Sequence, residues 1–222
     1  MIVMIVGSTG AGKDTVINEV SKILGSSNIM RYPSCTTRPK RPQEVDGIDY
    51  IFYSLEEMRN QCKLGKMVEV KKVYNNIYGT HIDSINHALS NSKIAINDYD
   101  VEGYANAKKR INYVREKQHM SALPIVTILI DAPDEVLISR VKGRNDNTDI
   151  SGRIAQLERD RVIKSYYKYD YRVNNDNLAN CVKEVCDIII NEYEKSTGKK
   201  LQSTQKDTSS TKATQQPVQV QM

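Results

Sequence analysis

Tryptophan is absent from this 222-residue sequence and phenylalanine occurs once, whereas tyrosine occurs 13 times. A buried tyrosine hydroxyl usually needs a hydrogen-bond partner, so we expect several of these rings to line wet sites as well as the core. Hydrophobic residues make up 39% of the chain and charged residues 27%. This balance suits one ordinary domain with short appendages.

Cysteine is also sparse, and no two of Cys35, Cys62, Cys181 and Cys186 form a C-x-x-C pair. The spacing argues against a thiolate metal site or a disulfide framework and predicts a reducing, cytoplasmic location. A glycine-rich motif begins almost at Met1, so we expect no signal peptide before it. No apolar run approaches the roughly 20 residues that cross a membrane, and we expect no membrane partner.

Excess charge of one sign is small, with a net charge of +5. This charge suits an anionic small substrate as well as nucleic acid, but it is too low to require nucleic acid. We therefore expect small-molecule partners and no nucleic-acid partner. Monomer and homodimer stay equally open at this stage.

Short β-type runs alternate with helix-type stretches along most of the chain. The predicted strands cover residues 2–6, 29–34, 67–74, 94–97, 125–130 and 171–173. The predicted helices cover residues 15–24, 55–63, 82–89, 101–116, 134–142, 152–165 and 178–193. Ser54 and Glu57 predict a capping box at the start of the second helix. The alternation predicts an α/β fold with a mostly parallel sheet between helices.

Two polar segments interrupt this alternation, at residues 33–49 and 143–152. Loops of this kind, mounted on a rigid sheet, often carry function. After Lys195 the chain becomes rich in Ser, Thr, Gln and Lys and loses its periodicity. We predict an ordered domain over residues 1–195 and a disordered polar tail over residues 196–222.

The most informative motif is a glycine-rich loop with the spacing G-x-x-x-x-G-K, placed between a predicted buried strand and a predicted helix. The backbone N–H groups of such a loop wrap a phosphate and present it to a helix N-terminus. Lys13 supplies positive charge to the outer phosphates of a nucleoside triphosphate. The predicted triphosphate-binding residues are Gly7, Ser8, Thr9, Gly10, Ala11, Gly12, Lys13, Asp14 and Thr15.

Asp14 stands where this motif usually has a Ser or Thr whose hydroxyl ligates Mg²⁺. A carboxylate is also a good ligand for a hard cation, directly or through water. Asp98 follows the apolar run 94–97, as does the Walker B carboxylate that holds the Mg²⁺ shell. A helix-capping role suits Asp98 equally well. The pair predicts a magnesium site at Asp14 and Asp98.

A proline-stiffened loop presents two arginines in the run S-C-T-T-R-P-K-R-P, which begins at Ser34 and contains Arg38 and Arg41. The run D-G-I-D-Y follows and ends at Tyr50. Guanidinium forks match phosphate oxygens, and the Tyr50 hydroxyl can contact the same group. A solvated basic loop and an RNA-binding patch are the alternatives.

Arg140, Arg144 and Arg153 surround the second polar segment. Arginines on a loop can close over a phosphate and exclude water. The alternative is a solvated helix end, which competes most strongly at Arg140.

Taken in order, these motifs resemble the guanylate kinases, nucleoside monophosphate kinases that phosphorylate GMP. The resemblance covers residues 2 to about 192. Its most specific parts are T-T-R-x-x-R-P and D-G-x-D-Y, supported by Y-G-T, D-x-D-V-x-G and Y-D-Y…N-D. It implies ATP as donor, Mg²⁺ as cofactor and GMP as acceptor. It also implies a P-loop kinase core with a GMP-binding region at about 34–80 and a lid at about 143–153.

The resemblance also assigns roles to individual residues. The GMP phosphate would be held by Arg38, Arg41, Tyr50 and Tyr78. The guanine base would be read by Ser34, Glu69, Thr80 and Asp100. The ATP adenine would lie against Asn175 and Asp176, and the lid arginines would be Arg144 and Arg153. The catalytic set would be Lys13, Arg41, Arg144 and Arg153.

Three other functions remain open. A kinase for dGMP or a broader set of deoxynucleoside monophosphates would share these motifs. A catalytically silent guanylate-kinase-like binding module would not need Lys13, which is intact. A nucleic-acid-stimulated ATPase leaves Glu69 and Asp100 unexplained.

Overall fold

The computed structural model describes residues 1–73, 75–143 and 150–201 of the chain. The strands are β1 (Ile2–Val6), β2 (Ile29–Arg31), β3 (Ser34–Thr36), β4 (Tyr50–Phe52), β5 (Met67–Val73), β6 (Asn76–His81), β7 (Ile94–Tyr99), β8 (Ile125–Asp131) and β9 (Tyr171–Asn174). The helices are α1 (Lys13–Leu24), α2 (Leu55–Lys63), α3 (Ile82–Asn91), α4 (Gly103–Lys117), α5 (Asp134–Lys142), α6 (Ile150–Ile163) and α7 (Leu178–Thr197).

The larger sheet has five strands in the order β2-β7-β1-β8-β9. Every neighbouring pair in it is parallel. Alternate residues of β1 serve its two faces, because successive side chains of a strand point to opposite sides. Val3 and Ile5 pack in the cluster that includes α1 and α7, whereas Ile2 and Met4 pack in the cluster that includes α3 and α4. The structure therefore confirms the predicted α/β fold with helices on both faces.

A second sheet of four strands has the order β4-β3-β6-β5 and mixes parallel and antiparallel pairs. Its own small core contains Cys35, Ile51, Tyr53, Met58 and Met67. Helix α2 covers this core and begins at the predicted capping box, with Ser54 and Glu57 each bonded to the other's backbone. This sheet occupies the region that the sequence assigns to the acceptor nucleotide.

The predicted strand 29–34 is two strands that belong to different sheets. Tyr32 still bonds the large sheet through Ile96, and Pro33 separates it from Ser34, where β3 starts. A proline has no N–H to continue a ladder, so the chain leaves one sheet here and enters the other. Two further strands were not predicted: β4, which has only three residues, and β6, whose glycine and polar residues hide the alternating pattern of a strand.

The C-terminal helix α7 continues two residues beyond the predicted end of the ordered domain at residue 195, to Thr197. Leu201 then packs against the larger core. Residues 202–222 lie outside the described part of the chain. Within the described ranges, none of the helices combines the length and the apolar character that crossing a membrane requires.

Candidate active site

The phosphate loop leaves β1 at Gly7 and enters α1 at Lys13. Gly10 and Gly12 have φ angles of +81° and +86°, a region that residues with a Cβ rarely adopt. Gly7 N–H bonds the carbonyl of Tyr99 at 3.2 Å, which ties the loop to the end of β7. The curled backbone therefore presents the N-terminus of α1 as an anion site.

Lys13 turns back over this loop. Its Nζ donates to the carbonyl oxygens of Gly7 at 2.8 Å and Ser8 at 3.2 Å. The ammonium group is thereby held directly above the loop, in a position from which it can exchange a carbonyl for a phosphate oxygen. Ser8 is buried and Thr9 is half-buried on the same loop.

Asn175 supports the loop from below and is only 2% exposed. Its Nδ2 donates to the Ala11 carbonyl at 2.8 Å, and its backbone N–H donates to the Asp131 carbonyl at 2.7 Å. Arg140 Nη2 donates to the Asn175 carbonyl at 2.9 Å, which links α5 to the same point. Asn175 thus braces the phosphate loop, while the neighbouring Asp176 is exposed at the surface.

We expect Gly12→Ala to reduce kcat/KM for the donor nucleotide by about 100-fold or more. A Cβ on Gly12 would lie 2.5 Å from Asn175 Nδ2, and the φ of +86° strains any L side chain. Steady-state kinetics across ATP concentrations measures the effect. Gly65→Ala is the matched control, because Gly65 also has a positive φ but has no atom near its Cβ position. Equal losses in both variants would contradict the bracing role.

Arg38, predicted to bind the acceptor phosphate, is held by Glu44 in the structure. Its Nη1 and Nη2 donate to the two Glu44 carboxylate oxygens at 2.8 and 2.7 Å, and this pairing lowers the pKa of Glu44 to about 2. The guanidinium also lies 5.3 Å from the ring centroid of Tyr50, which packs edge-on against Tyr78. Three predicted phosphate ligands are therefore neighbours. Arg41 is exposed, and its backbone N–H donates to Glu44 Oε2 at 2.8 Å.

The four predicted base-reading residues lie in three separate hydrogen-bonded groups. Thr80 Oγ1 donates to Glu69 Oε1 at 3.1 Å across β6 and β5. Asn97 Nδ2 donates to Ser34 Oγ at 3.1 Å. Asp100 accepts from Lys71 at 3.0 Å and from the backbone N–H of Gly103 at 2.7 Å, so it also fixes the turn into α4.

Burial dominates the electrostatics of Glu69. Desolvation, with Asp100 and Asp98 nearby, raises its pKa to about 7, while the Thr80 hydroxyl and Lys71 oppose the shift. A carboxyl group whose pKa is near 7 is partly protonated at neutral pH in the free protein. It becomes a strong hydrogen-bond acceptor once ligand N–H groups reach it and favour its ionised form. Glu69 is therefore suited to recognise a base that presents adjacent donors.

A buried chain of hydroxyls ends at Glu69, and the sequence analysis did not find it. The Tyr32 and Tyr99 hydroxyls lie 2.9 Å apart, and Tyr99 also hydrogen-bonds Thr80. Because Thr80 donates to Glu69, Tyr99 donates to Thr80 and Tyr32 donates to Tyr99 when Glu69 is ionised. The surplus of tyrosine over phenylalanine is the only sequence signal for this network.

This pKa predicts a pH dependence for the acceptor nucleotide. For the GMP acceptor that the motif resemblance implies, the guanine N–H groups would need an ionised Glu69, so KM for GMP should rise as pH falls through 7, approaching tenfold per unit well below 7. Because the pKa is raised above its ordinary 4.5, Glu69 also costs the fold stability as pH rises from 4.5 to 7.

KM for GMP between pH 5.5 and 8.5 tests this dependence. The GMP phosphate itself titrates at about pH 6 and also affects KM. Glu69→Gln is the control, because its KM responds to the titration of the phosphate but not to that of residue 69. The difference between the two profiles isolates Glu69. Parallel profiles would contradict the role of its ionisation.

Arg31 is a site residue that the sequence analysis missed. Its Nη2 donates to Asp14 Oδ1 at 2.6 Å and to Asp98 Oδ1 at 2.8 Å, and its Nε donates to Asn97 Oδ1 at 3.1 Å. The two residues predicted to ligate magnesium are thus joined by one guanidinium. Arg31 belongs to none of the sequence motifs. The short edge strand β2 places it in the site.

The lid is described only in part. Arg144 lies outside the described residues, and Arg153 is half-buried in the first turns of α6. Farther along α6, Asp160 is 2% exposed and hydrogen-bonds Gln156 and Ser8 of the phosphate loop. Helix α6 therefore contacts the donor loop directly.

An open cleft of about 1190 Å³ joins several of these parts. Its walls include Asp14 and Thr15 from α1, Ser34 from β3 and Tyr50 from β4. Glu69 and Thr80 are not among its lining residues in the described chain. The cleft therefore runs from the first turn of α1, directly after the phosphate loop, to the segment that follows Arg41. A phosphate loop on one sheet and an arginine-bearing loop on the other are the parts of a P-loop phosphotransferase with distinct donor and acceptor positions.

Comparisons with known proteins identify the family. The guanylate kinase family model matches residues 1–192. The chain is 32% identical over 197 residues to a guanylate kinase of Thermotoga maritima, covering 87% of this chain and 88% of that one. It is 33% identical over 193 residues to a guanylate kinase of Wolbachia pipientis wMel, covering 85% and 89%.

A crystal structure of guanylate kinase from Anaplasma phagocytophilum has the same fold, with a TM-score of 0.58 at 19% identity. It matches over 89% of this chain and 95% of that one. The chain belongs to the guanylate kinase family. It is a nucleoside monophosphate kinase with a P-loop core, as the sequence motifs predicted.

Proposed function

We propose that this chain transfers the γ-phosphoryl group of ATP to GMP, and also to dGMP, and releases ADP and GDP or dGDP. The observation that carries the proposal is the Glu69–Thr80 pair, in which a carboxylate of raised pKa lies beside a hydroxyl. Guanine presents N1–H and N2–H₂ donors to such a carboxylate. Adenine has an acceptor at N1, which would leave the pair unsatisfied.

The donor binds at the phosphate loop. Backbone N–H groups of residues 7–13 hold the β-phosphate, and Lys13 contacts the β- and γ-phosphates. Asn175 keeps the loop in its bound curvature through its bond to Ala11. Asp176, exposed beside it, is in reach of the adenine in this proposal.

The acceptor binds on the small sheet. Arg38, Tyr50 and Tyr78 form the acceptor-phosphate site, and the exposed Arg41 side chain can turn toward the reacting oxygens. Releasing Arg38 from Glu44 is part of binding, because the phosphate then replaces the carboxylate as the partner of the guanidinium.

The chemical step is an in-line displacement. An oxygen of the GMP phosphate forms a bond to the γ-phosphorus while the bond from that phosphorus to the ADP oxygen breaks. The attacking oxygen is already ionised, so the chain supplies no strong base. Its contribution is positioning and charge stabilisation by Lys13, Arg41 and the predicted lid residues Arg144 and Arg153.

Magnesium fits this site as a companion of the nucleotide. Asp14 and Asp98 each use one oxygen on Arg31, which leaves Oδ2 of each for the ion or its waters. The described ranges contain no group of three or more His, Cys, Asp or Glu side chains that could hold a metal. The ion would therefore depend on phosphate oxygens, and when bound it neutralises their charge. The cytoplasmic location predicted from cysteine use stays a prediction.

A coupled assay that compares GMP, dGMP, dTMP and AMP at equal concentrations tests the proposal. We expect turnover of GMP and dGMP at least about 100-fold above AMP. Equal turnover of AMP and GMP would overturn the role of Glu69. Binding of GMP without turnover of any of the four would instead favour a silent binding module, and strong turnover of dTMP would favour a broader deoxynucleotide kinase.

A further inference from the structure

The strongest unexplained feature beside the donor site is the triad of Arg31, Asp14 and Asp98. One Nη2 atom lies 2.6 Å from Asp14 Oδ1 and 2.8 Å from Asp98 Oδ1. The side chains of Arg31 and Asp98 are 34% and 31% exposed, so their contact is partly shielded from solvent, whereas the Asp14 side chain is 67% exposed. Burial disfavours the Arg31 charge, and the two carboxylates outweigh it, so the pKa of Arg31 is raised.

Asp14 creates a charge conflict in the donor site. It follows Lys13 directly, in the first turn of the helix whose N-terminus receives the triphosphate. A free carboxylate here would repel the nucleotide and offset much of the attraction of Lys13. With Arg31 included, the four groups Lys13, Asp14, Arg31 and Asp98 sum to zero, the same total that Lys13 and Asp98 have without this pair.

A second contact fixes the orientation of the Arg31 side chain. Its Nε bonds Asn97, whose amide donates to Ser34 on the acceptor side. The guanidinium is therefore oriented from two sides and reaches Asp14 as a fixed group rather than as a mobile surface chain. Lys22, in contrast, lines the same cleft but is 71% exposed and pairs with Glu19 of the same helix at 2.6 Å.

We propose that Arg31 is a positioning residue for the donor nucleotide, which holds Asp14 aside and neutralises it so that the ATP triphosphate can bind beside Lys13. The inference rests on the proposed use of ATP. It makes Arg31 and Asp14 a matched pair, in which Asp14 without Arg31 is unfavourable and the loss of Arg31 is tolerated once Asp14 is also absent.

Isothermal titration of the full chain with ATP, with Mg²⁺ and again with EDTA, tests the pairing. Arg31→Met should weaken ATP binding about 10-fold or more under both conditions, since Asp14 then faces the phosphates unpaired. The double variant Asp14→Ser/Arg31→Met should bind ATP within about 3-fold of the single variant Asp14→Ser under the same condition, since removing Asp14 removes the charge that Arg31 neutralises.

Two further variants serve as controls. Arg31→Lys keeps the charge without the fork, so it should recover most of the affinity, and it replaces Arg31→Met if that variant does not fold. Lys22→Met removes one positive charge from the same cleft and should change ATP affinity less than about 2-fold.

Unchanged ATP affinity in Arg31→Met overturns the proposal, as does a double variant as weak as Arg31→Met, which would mean direct contact with the nucleotide. An equal loss in Lys22→Met also overturns it, by reducing the effect to long-range charge. Failure of the wild type to bind ATP overturns the proposed function as well. If the wild type binds ATP and phosphorylates GMP, but the effects of Arg31→Met and Asp14→Ser on ATP affinity are independent of each other, only the inference about Arg31 is rejected.

Discussion

Lys13→Ala is expected to lower kcat/KM for ATP-dependent phosphorylation of GMP by about 1000-fold or more. The ammonium group is the only side-chain cation of the phosphate loop itself, and the loop backbone already directs it over the anion site. Charge that develops between the β- and γ-phosphates would lose this partner in the transition state. The loss should therefore appear in kcat as well as in KM for ATP.

The fold should survive this substitution. Within the described part of the chain Nζ bonds two loop carbonyls, at 2.8 and 3.2 Å, and such bonds contribute about 1 kcal/mol each in net terms. The loop keeps its brace at Asn175 and its anchor at Gly7. Thermal unfolding should shift by only a few degrees, and GMP binding should be retained.

Lys22→Ala is the matched control, because Lys22 lies in the same helix and lines the same cleft. It should retain wild-type kcat within about 2-fold. A Lys13→Ala enzyme with wild-type kcat would contradict the donor-site mechanism. A Lys13→Ala protein that is unfolded would contradict the view that the lysine is dispensable for the fold.

The donor half of this site is readable from sequence because it is local. A buried strand, three glycines and Lys13 within one short run determine the backbone path of the loop, and they predict its chemistry. β1 starts and ends at the predicted residues for the same reason, since all five of its side chains are buried. The helices α2 and α5 also have the predicted bounds.

The parts that sequence reasoning missed depend on contacts between distant segments. Arg31 meets Asp98 only because β2 pairs with β7, and the two residues are 67 positions apart. Tyr32 and Tyr99 meet through the same pairing. Strand β6 carries Thr80 and Gly79, and its sequence has no alternating apolar pattern to announce a strand.

Gly79 has a packing role that its sequence context does not reveal. A Cβ there would lie 2.5 Å from the Glu69 carbonyl and 2.8 Å from Met67 Cε, so glycine permits β6 to approach β5. In sequence it is one residue of a Y-G-T motif. In the structure it brings Thr80 within hydrogen-bond distance of Glu69.

Glu69→Gln is expected to lower kcat/KM for GMP by about 100-fold, mainly through KM, with kcat within about 5-fold of the wild type. The amide keeps the size of the side chain but replaces one acceptor with a donor, which then faces the guanine donors. Because the phosphoryl-transfer groups are untouched, a substrate that binds should still react. The protein should be at least as stable as the wild type at pH 8, since Gln removes a carboxylate whose pKa burial raises.

The discriminating substrate is IMP, which keeps N1–H and O6 of guanine but lacks the N2 amine. Wild-type enzyme should prefer GMP to IMP by about 10-fold or more, and Glu69→Gln should largely remove that preference, because the carboxylate is the partner of the amine. Glu56→Gln, an exposed carboxylate at the start of α2, is the matched control and should leave both substrates unaffected. A Glu69→Gln enzyme that still prefers GMP to IMP by the wild-type ratio would remove Glu69 from base recognition. Guanine would then have to be read by Ser34 and Asp100, the other two predicted base-reading groups that do not belong to the Glu69–Thr80 pair.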